Sequence, residues 1–398
     1  MSRLLRTVIV AALTVSILPL MGAPGAGAAG RTPIVKIGVL APLDAGLTEF
    51  GQGFRNSVQI AVDQANKKQT IPGWTVELVA VDDSSDPEIG AVGAATLVAD
   101  PDVIGVVGTY NSGVAVTALP VLAPAGLALV SPGNTLADLT LGPDPANPAR
   151  VYESYFRMIA SDALQAPFLA ESAYGRGLKN VAIVSETKAV SKGLADAFAT
   201  AFADDGGTVT TQEVVPDGAT DFSAFLDTAL ADEADAIFFG GEYPVAATLR
   251  DQATAAGFTG PVVGGDGIKD DAYIEEAGAA SKGTLASTVG VPLASLSTAK
   301  KFLAAYKKAK FDTDPTDFGP YAYDAANLII KAARDVLDGQ TTIPADARAA
   351  VVAALQDASG KGATGALGFD EFGDTNNAVF TLYRVSGPKQ RLVWAPLG

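Results

Sequence analysis

At Val103-Ile-Gly-Val-Val-Gly-Thr-Tyr-Asn-Ser-Gly113, a short apolar run is followed by a polar turn that contains glycine. The run up to Gly108 predicts a fully buried strand, and the apolar spacing from Val114 to Leu122 predicts a helix after the turn. In open α/β sheets, ligands bind where such a strand ends and such a helix begins. The free backbone N–H groups of the helix N-terminus, together with the Ser112 hydroxyl, suit an anion.

The same pattern follows a little further along the chain. Leu127-Ala-Leu-Val130 reads as a short strand, and Ser131-Pro-Gly-Asn-Thr135 as a second polar turn with spare donors. Two adjacent donor turns predict a site for a small carboxylate. The pattern leaves open that Ser112 and Thr135 only cap helices.

Strands and helices alternate on both sides of this centre. The first series has predicted strands at 34–40, 74–81 and 103–107, and Asp86 is the expected N-cap of a helix that begins at Pro87. A second series starts at about Asp162 and places glycine-rich turns after its strands at 236–239 and 261–263. The order predicts an α/β protein with two doubly wound parallel-sheet lobes and a cleft between them. Three later helices, over 297–310, 324–337 and 345–358, are expected to return to one of the sheets, and strands to end the chain.

The composition agrees with two domains and an exported protein. The chain has 398 residues, of which 48% are hydrophobic and 18% charged, as in ordinary globular proteins. Residues 1–28 are predicted to be a signal peptide, with Arg3 and Arg6 before an apolar run and Ala26-Gly-Ala28 as the cleavage site. Because no cysteine follows the cleavage site, we expect a periplasmic or extracellular protein without a lipid anchor on cysteine.

The charge and the missing residue types exclude several functions. The chain carries 28 basic and 44 acidic residues, and this acidity disfavours nucleic acid and anionic membranes as partners. It has no histidine and no cysteine, which excludes Ser-His-Asp and Cys-His catalysis as well as imidazole or thiolate metal sites. We expect neither a cofactor nor an enzyme. A hydrolase that uses a serine–lysine dyad or carboxylates alone stays open as the least favoured alternative.

Two acids follow neighbouring strands of the second series. Glu242 comes after the strand at 236–239, and Asp266 comes after the strand at 261–263. Neutral donors on one wall of a cleft and carboxylates on the other match a zwitterion. Two alternatives stay open here, namely that Asp266 is only a turn residue and that Glu242 only caps the next helix.

The mature chain resembles, over nearly its full length, the type I periplasmic binding proteins of branched-chain amino acid ABC transporters. The motifs that carry the resemblance are specific in their order and spacing. They are Ile37-Gly-Val-Leu-Ala-Pro-Leu43, Phe50-Gly51, Val81-Asp-Asp-Ser-Ser-Asp-Pro87, Val106-Val-Gly-Thr-Tyr-Asn-Ser112, Val130-Ser-Pro-Gly-Asn-Thr135, Phe239-Gly-Gly-Glu-Tyr243 and Gly264-Gly-Asp-Gly-Ile268.

The resemblance implies a role for most of the predicted site. Ser112, Thr135 and the backbone near Gly133 would bind the ligand α-carboxylate, and Asp266 would bind the α-ammonium. Phe50 stands where the family has an aromatic residue that packs on the ligand. The predicted ligand-binding residues are Phe50, Asn111, Ser112, Gly133, Asn134, Thr135, Val190, Glu242 and Asp266.

The chain also departs from leucine-binding relatives, which carry tyrosine where Val190 and Glu242 stand. We expect Glu242 and Asp266 to be two unpaired anions in one small volume, and the second acid favours a ligand with an extra amine, amide or hydroxyl group beside an apolar part.

The same resemblance implies three crossovers, near Met158, Gly290 and Gly368. The predicted N-terminal lobe is 33–158 plus 291–367, and the C-terminal lobe is 159–290 plus 368–398. The expected function is capture of an amino acid or a related small carboxylate or amide, by a monomer that delivers it to an ABC permease and its ATPase. A sensory module that acts with a receptor stays open as the alternative.

Overall fold

The structure is a computed structural model that describes residues 32–144, 147–388 and 391–397. The predicted signal peptide lies outside these residues. Within them, strands and helices alternate along the chain. The strands form two large sheets and one two-stranded sheet. The predicted α/β class is confirmed.

The first sheet contains five strands, all parallel, with helices between them. The elements are β1 (Ile34–Ala41), α1 (Thr48–Lys68), β2 (Thr75–Asp82), α2 (Pro87–Ala99), β3 (Val103–Gly108), α3 (Ser112–Leu122), β4 (Ala128–Ser131), α4 (Asp138–Leu141) and β5 (Tyr155–Arg157). The strand order is β2-β1-β3-β4-β5, one of the common doubly wound orders. Every residue of the central strand β3 is buried, as its continuous apolar run predicts. Asp86 caps α2 as predicted, because its carboxylate accepts hydrogen bonds from the N–H groups of Glu88 and Ile89.

The second sheet begins with the same winding. Its elements are α5 (Asp162–Gly175), β6 (Asn180–Glu186), α6 (Ala189–Asp204), β7 (Thr208–Val215), α7 (Ser223–Ala231), β8 (Ala236–Gly240), α8 (Tyr243–Ala255), β9 (Val262–Gly264), α9 (Asp271–Ala277) and β10 (Leu285–Val289). The parallel part has the order β7-β6-β8-β9-β10, which repeats the order of the first sheet.

The end of the chain contributes to both sheets. Its elements are α10 (Lys300–Ala309), α11 (Gly319–Leu337), α12 (Ala347–Gln356), β11 (Ser359–Gly362), β12 (Gly365–Gly368), β13 (Phe380–Ser386) and β14 (Val393–Leu397). The predicted return of the three helices is confirmed: α11 packs on α1 and β3, α12 packs on β3 and β4, and α10 packs on α1. In β3, a Cβ on Gly105 would come within 2.6 Å of the Ile329 side chain, so this glycine lets α11 approach the sheet.

The second sheet also has an antiparallel edge, for which the sequence indicated no strand direction. β13 pairs antiparallel with β10, and β14 pairs antiparallel with β13. The cause is the route of the chain, which returns to the second sheet after β12 and adds its last two strands as a hairpin. We call the five-stranded sheet with α1–α4 and α10–α12 the first lobe, and the seven-stranded sheet with α5–α9 the second lobe. The lobe limits predicted at Met158, Gly290 and Gly368 stay predictions.

The described part of the chain contains neither a membrane-spanning helix nor a metal cluster. Across residues 32–144, 147–388 and 391–397, no helix is both long and apolar enough to cross a membrane. The same residues contain no cluster of three or more acidic side chains arranged to hold a metal ion.

Candidate ligand-binding site

The first wall of the site is the turn between β3 and α3. Gly108 ends β3 with a φ of +147°, and a Cβ there would come within 2.1 Å of the Leu40 carbonyl oxygen. Glycine is therefore required where the chain leaves the strand. Asn111 occupies the N-cap position of α3, but its side chain makes no capping bond. The positive end of the helix is thus left open toward the cleft.

The turn after β4 is braced against this first turn. The Ser131 hydroxyl oxygen accepts hydrogen bonds from the N–H groups of Gly133 and Asn134. The Asn134 amide donates to the carbonyl oxygens of Thr109 and Tyr110, at 3.0 and 2.9 Å. Asn134 therefore holds the two turns together behind the wall.

Ser112 links the two turns on the side that faces the cleft. Its hydroxyl oxygen accepts hydrogen bonds from the N–H groups of Thr135 and Leu136, both at 3.2 Å. The serine proton is then left to donate, and a ligand carboxylate is a suitable acceptor. Ser112 is therefore more than a helix cap, and it lies only 3% exposed beside Thr135, which is 6% exposed.

The opposite wall belongs to the second lobe and carries a buried acid. Asp266 follows β9 at the start of a 3₁₀ turn and is 7% exposed. One of its carboxylate oxygens accepts a hydrogen bond from the Gln165 amide at 2.9 Å. Burial raises the pKa of Asp266 to about 6, although the bonds from Gln165 and from the local backbone lower it. A cation in the cleft would relieve the desolvation of this carboxylate.

The two walls enclose a small cavity of about 50 Å³. Both lobes line it, with polar groups on each side and the side chains of Tyr110, Val190 and Leu194 as its apolar part. The lining residues are Tyr110, Asn111, Ser112, Gly133, Thr135, Val190, Ser191, Leu194, Gly241, Glu242, Asp266 and Gly267.

Glu242 differs from its predicted state as an unpaired anion. One carboxylate oxygen accepts a hydrogen bond from the Asn111 amide of the first lobe at 2.6 Å, and the other forms an ion pair with Lys188 at 2.7 Å. Burial raises the pKa of Glu242, while Lys188 acts in the opposite direction. Glu242, which stands where leucine-binding relatives carry tyrosine, is thus already paired within the protein. The reason for expecting an extra amine, amide or hydroxyl on the ligand falls away. Nor does Glu242 cap α8, since its side chain makes no capping bond.

Seven of the nine predicted residues line the cavity, and two do not. Phe50 is 1% exposed and lies behind Tyr110, with the two rings stacked at 4.2 Å between centroids. Tyr110 therefore presents the aromatic surface that was expected from Phe50. Asn134, as described above, binds the neighbouring turn.

Sequence reasoning missed the residues that support the acids. Lys188 lies two positions before Val190, and Gln165 lies at the start of the second series. Only the position of Lys188 in the turn after a strand gave any signal, because nothing in the pattern around Gln165 distinguishes a buried amide from a surface one.

Comparison with known proteins decides the family. Residues 34–390 match the family profile described as "Periplasmic binding protein". The chain belongs to this family. It is 32% identical over 352 residues to the Leu/Ile/Val-binding protein homolog 3 of Brucella melitensis, a match that covers 88% of this chain and 91% of that protein. It is 30% identical to the leucine-, isoleucine-, valine-, threonine-, and alanine-binding protein of Pseudomonas aeruginosa, with 88% and 89% covered.

A solved structure shows the same architecture. The leucine binding protein LivK of Thermotoga maritima superposes with a TM-score of 0.78 at 27% identity and covers 91% of this chain and 97% of its own. The protein is a type I periplasmic binding protein, and its role is solute binding rather than catalysis.

Proposed function

We propose that the protein captures an α-amino acid in the cleft between its lobes and delivers it to an ABC permease. The observation that carries this proposal is the division of the cavity walls. Hydroxyl donors and a helix N-terminus lie on the first lobe, and the Asp266 carboxylate lies on the second. An α-carboxylate and an α-ammonium match these two walls, and both groups would be desolvated together.

The apolar part of the cavity favours a ligand with a compact side chain. Tyr110, Val190 and Leu194 offer the surface that such a side chain would contact. A free volume of about 50 Å³ holds only a few water molecules. We therefore propose that the lobes separate to admit a ligand and that their closure around it forms the surface that the permease recognises. The names of the relatives point to leucine, isoleucine, valine, threonine and alanine as the first ligands to test.

The remaining parts of the proposal concern where the protein works. We propose that it is exported, cleaved after about Ala28 and active as a monomer outside the cytoplasmic membrane. The family is one of periplasmic proteins, which supports export.

Native mass spectrometry of the purified protein, followed by a thermal-shift screen of the five amino acids, tests the proposal. A ligand that binds only the folded state stabilises it by about 2.7 kcal/mol at one hundred times its Kd. Absence of any shift with these and other small carboxylates would refute capture of an amino acid. Uptake of the bound amino acid by cells with and without the protein then separates transport from sensing, since a sensory protein leaves uptake unchanged.

A further inference from the structure

A second buried carboxylate, Asp162, lies behind the cavity. It is the first residue of α5, it is 5% exposed, and its N–H donates to the Thr135 carbonyl oxygen at 2.8 Å. Neither of its carboxylate oxygens has a hydrogen-bond partner of good geometry among the described residues, although the Thr135 hydroxyl is close enough to lower its pKa. A buried carboxylate without partners is unfavourable when it is ionised.

Asp162 and Asp266 belong to one polar cluster. Gln165 lies one turn after Asp162 on α5, is fully buried, and donates its amide N–H to Asp266. This bond fixes the orientation of the amide, because a carboxylate can only accept. The Gln165 amide oxygen is then left without a partner. The cluster therefore contains three acceptor oxygens that lack a well-placed donor among the described residues, two on Asp162 and one on Gln165.

The nearest cation does not neutralise Asp162. The Arg157 guanidinium lowers its pKa at a distance, but this group donates to Asp374 at 2.7 Å, to the Leu136 carbonyl oxygen at 2.7 Å and to Thr140. Burial and the charge of Asp266 raise the pKa of Asp162 to about 8, above the value of about 6 for Asp266. Burial without a well-placed donor thus favours the protonated form of Asp162, whereas the hydrogen bond from Gln165 favours the ionised form of Asp266.

We propose that Asp162 is a positioning residue that couples amino-acid binding to the release of one proton. An ammonium group held by Asp266 adds a positive charge to a cluster whose free groups are acceptors, while the donors of the first lobe would balance the charge of the ligand carboxylate. The Asp162 O–H bond then breaks, its electron pair stays on the carboxylate, and the proton passes to solvent. The ionised Asp162 strengthens the negative potential at the ammonium subsite. This inference rests on the proposed function, because it needs an ammonium-bearing ligand in the cleft.

The coupling predicts how affinity depends on pH. An opposite charge at about 4–6 Å lowers the pKa of a carboxyl group by about 1–3 units. Because the ligand-bound form then has the lower pKa, affinity rises with pH and levels off above about pH 8. For a shift of 1–2 units the total gain is about 10- to 100-fold. The charged groups that influence the pKa of Asp162 are Asp266, Arg157 and, through its ion pair with Arg157, Asp374.

Calorimetry at pH 7.5 with L-leucine, L-threonine and L-alanine as probes measures the released proton. Each titration is run in two buffers with different ionisation enthalpies, and the difference in heat gives the number of protons. Wild type is expected to release a large fraction of one proton, and Asp162→Asn to bind the same amino acid without releasing it. Asp83→Asn is the matched control: Asp83 is fully buried with a pKa raised to about 7. Its carboxylate accepts a hydrogen bond from the Ser85 N–H in the turn after β2 and is not part of the cluster around Asp266, so proton release should persist.

The outcomes distinguish a failure of the proposed amino-acid binding from a failure of the proposed proton release. If none of the probes binds, the proposed function fails. If a probe binds to wild type without proton release, or if Asp162→Asn releases as many protons as wild type, the inference is overturned.

Two further measurements do not require that Asp162→Asn binds an amino acid. Wild-type affinity between pH 6.5 and 8.5 must rise, and a flat profile refutes the coupling even if Asp162→Asn fails to fold. In the ligand-free protein, thermal stability should fall less between pH 5 and 8 for Asp162→Asn than for wild type, because the raised pKa makes the native state bind the extra proton.

Discussion

The ion pair between Lys188 and Glu242 sets the charge of the cleft, and Lys188→Met tests its role. The substitution keeps most of the side-chain volume and removes the cation that lies 2.7 Å from the Glu242 carboxylate. Glu242 would then keep only its hydrogen bond from Asn111 and would become the unpaired acid that the sequence suggested. We expect a less stable protein and a changed ligand preference.

The magnitude follows from the exposure of the pair. The side chains of Lys188 and Glu242 are 34% and 18% exposed, between the exposed pairs that contribute about 0.2–1 kcal/mol and the buried pairs whose disruption costs about 3–5 kcal/mol. A coupling energy of about 1–2 kcal/mol is therefore expected. An unpaired Glu242 also favours a ligand with a second ammonium, so affinity for L-lysine relative to L-leucine should rise by about tenfold or more.

A double-mutant cycle isolates this energy. Unfolding free energies are measured for wild type, Lys188→Met, Glu242→Gln and the double variant, and calorimetry compares the two amino acids. Lys192→Met is the matched control, because Lys192 lies in the first turns of α6, just after Lys188, in a pair with Asp196 that is about half exposed. It should cost less than about 0.5 kcal/mol. A coupling energy below about 0.3 kcal/mol, with no change in preference, would show that the pair does not set the charge of the cleft.

Four other predictions concern the site, the fold and the leader. Ser112→Ala and Thr135→Ala should each weaken amino-acid binding by about 1.5–3 kcal/mol in calorimetry, the range for a hydrogen bond to a charged group; unchanged affinity with lowered stability would leave them as structural residues only. Asp266→Asn should abolish calorimetric binding of amino acids while the circular dichroism spectrum is kept, and retained affinity would place the ammonium elsewhere. Asp83→Asn should flatten the pH dependence of unfolding: burial raises the pKa of Asp83 to about 7, so wild type loses stability as pH rises from about 4 to 7, and equal slopes would contradict this. The intact mass of the exported protein should correspond to cleavage after about Ala28, and a full-length mass would refute the predicted leader.

The sequence correctly predicted those elements whose structure is determined by a pattern of a few neighbouring residues. The apolar run of β3, the glycine at its end and the Asp86 cap all act within a few residues, and each lies where it was predicted. The two donor turns were found for the same reason. The two turns lie side by side at one edge of the sheet because β3 and β4 pair in parallel. The alternation of strands and helices along the sequence already favours this parallel pairing.

The predictions that failed depend on contacts between distant parts of the chain. Phe50 was expected at the ligand, yet whether it or Tyr110 reaches the cavity depends on how α1 packs against the turn after β3. Glu242 was expected to be free, but its partners are 54 and 131 positions away. A single sequence shows an acid at a strand end without showing which cation comes to it when the chain folds.

Several bonds between the lobes would act on ligand affinity in addition to the contacts that their residues make with a ligand. Asn111 donates to Glu242, Asp162 donates through its N–H to Thr135, and Lys269 forms an ion pair with Asp317 at 2.6 Å. Each bond joins elements of the two lobes, so under the proposed capture by lobe closure it would stabilise the closed form. A ligand that binds only the closed form has an apparent affinity that scales with the fraction of protein already closed. Strengthening these bonds would therefore tighten binding and slow release. If the protein delivers its ligand to a permease, as proposed, the permease would have to separate the same groups, and these interlobe contacts would then influence both capture and delivery.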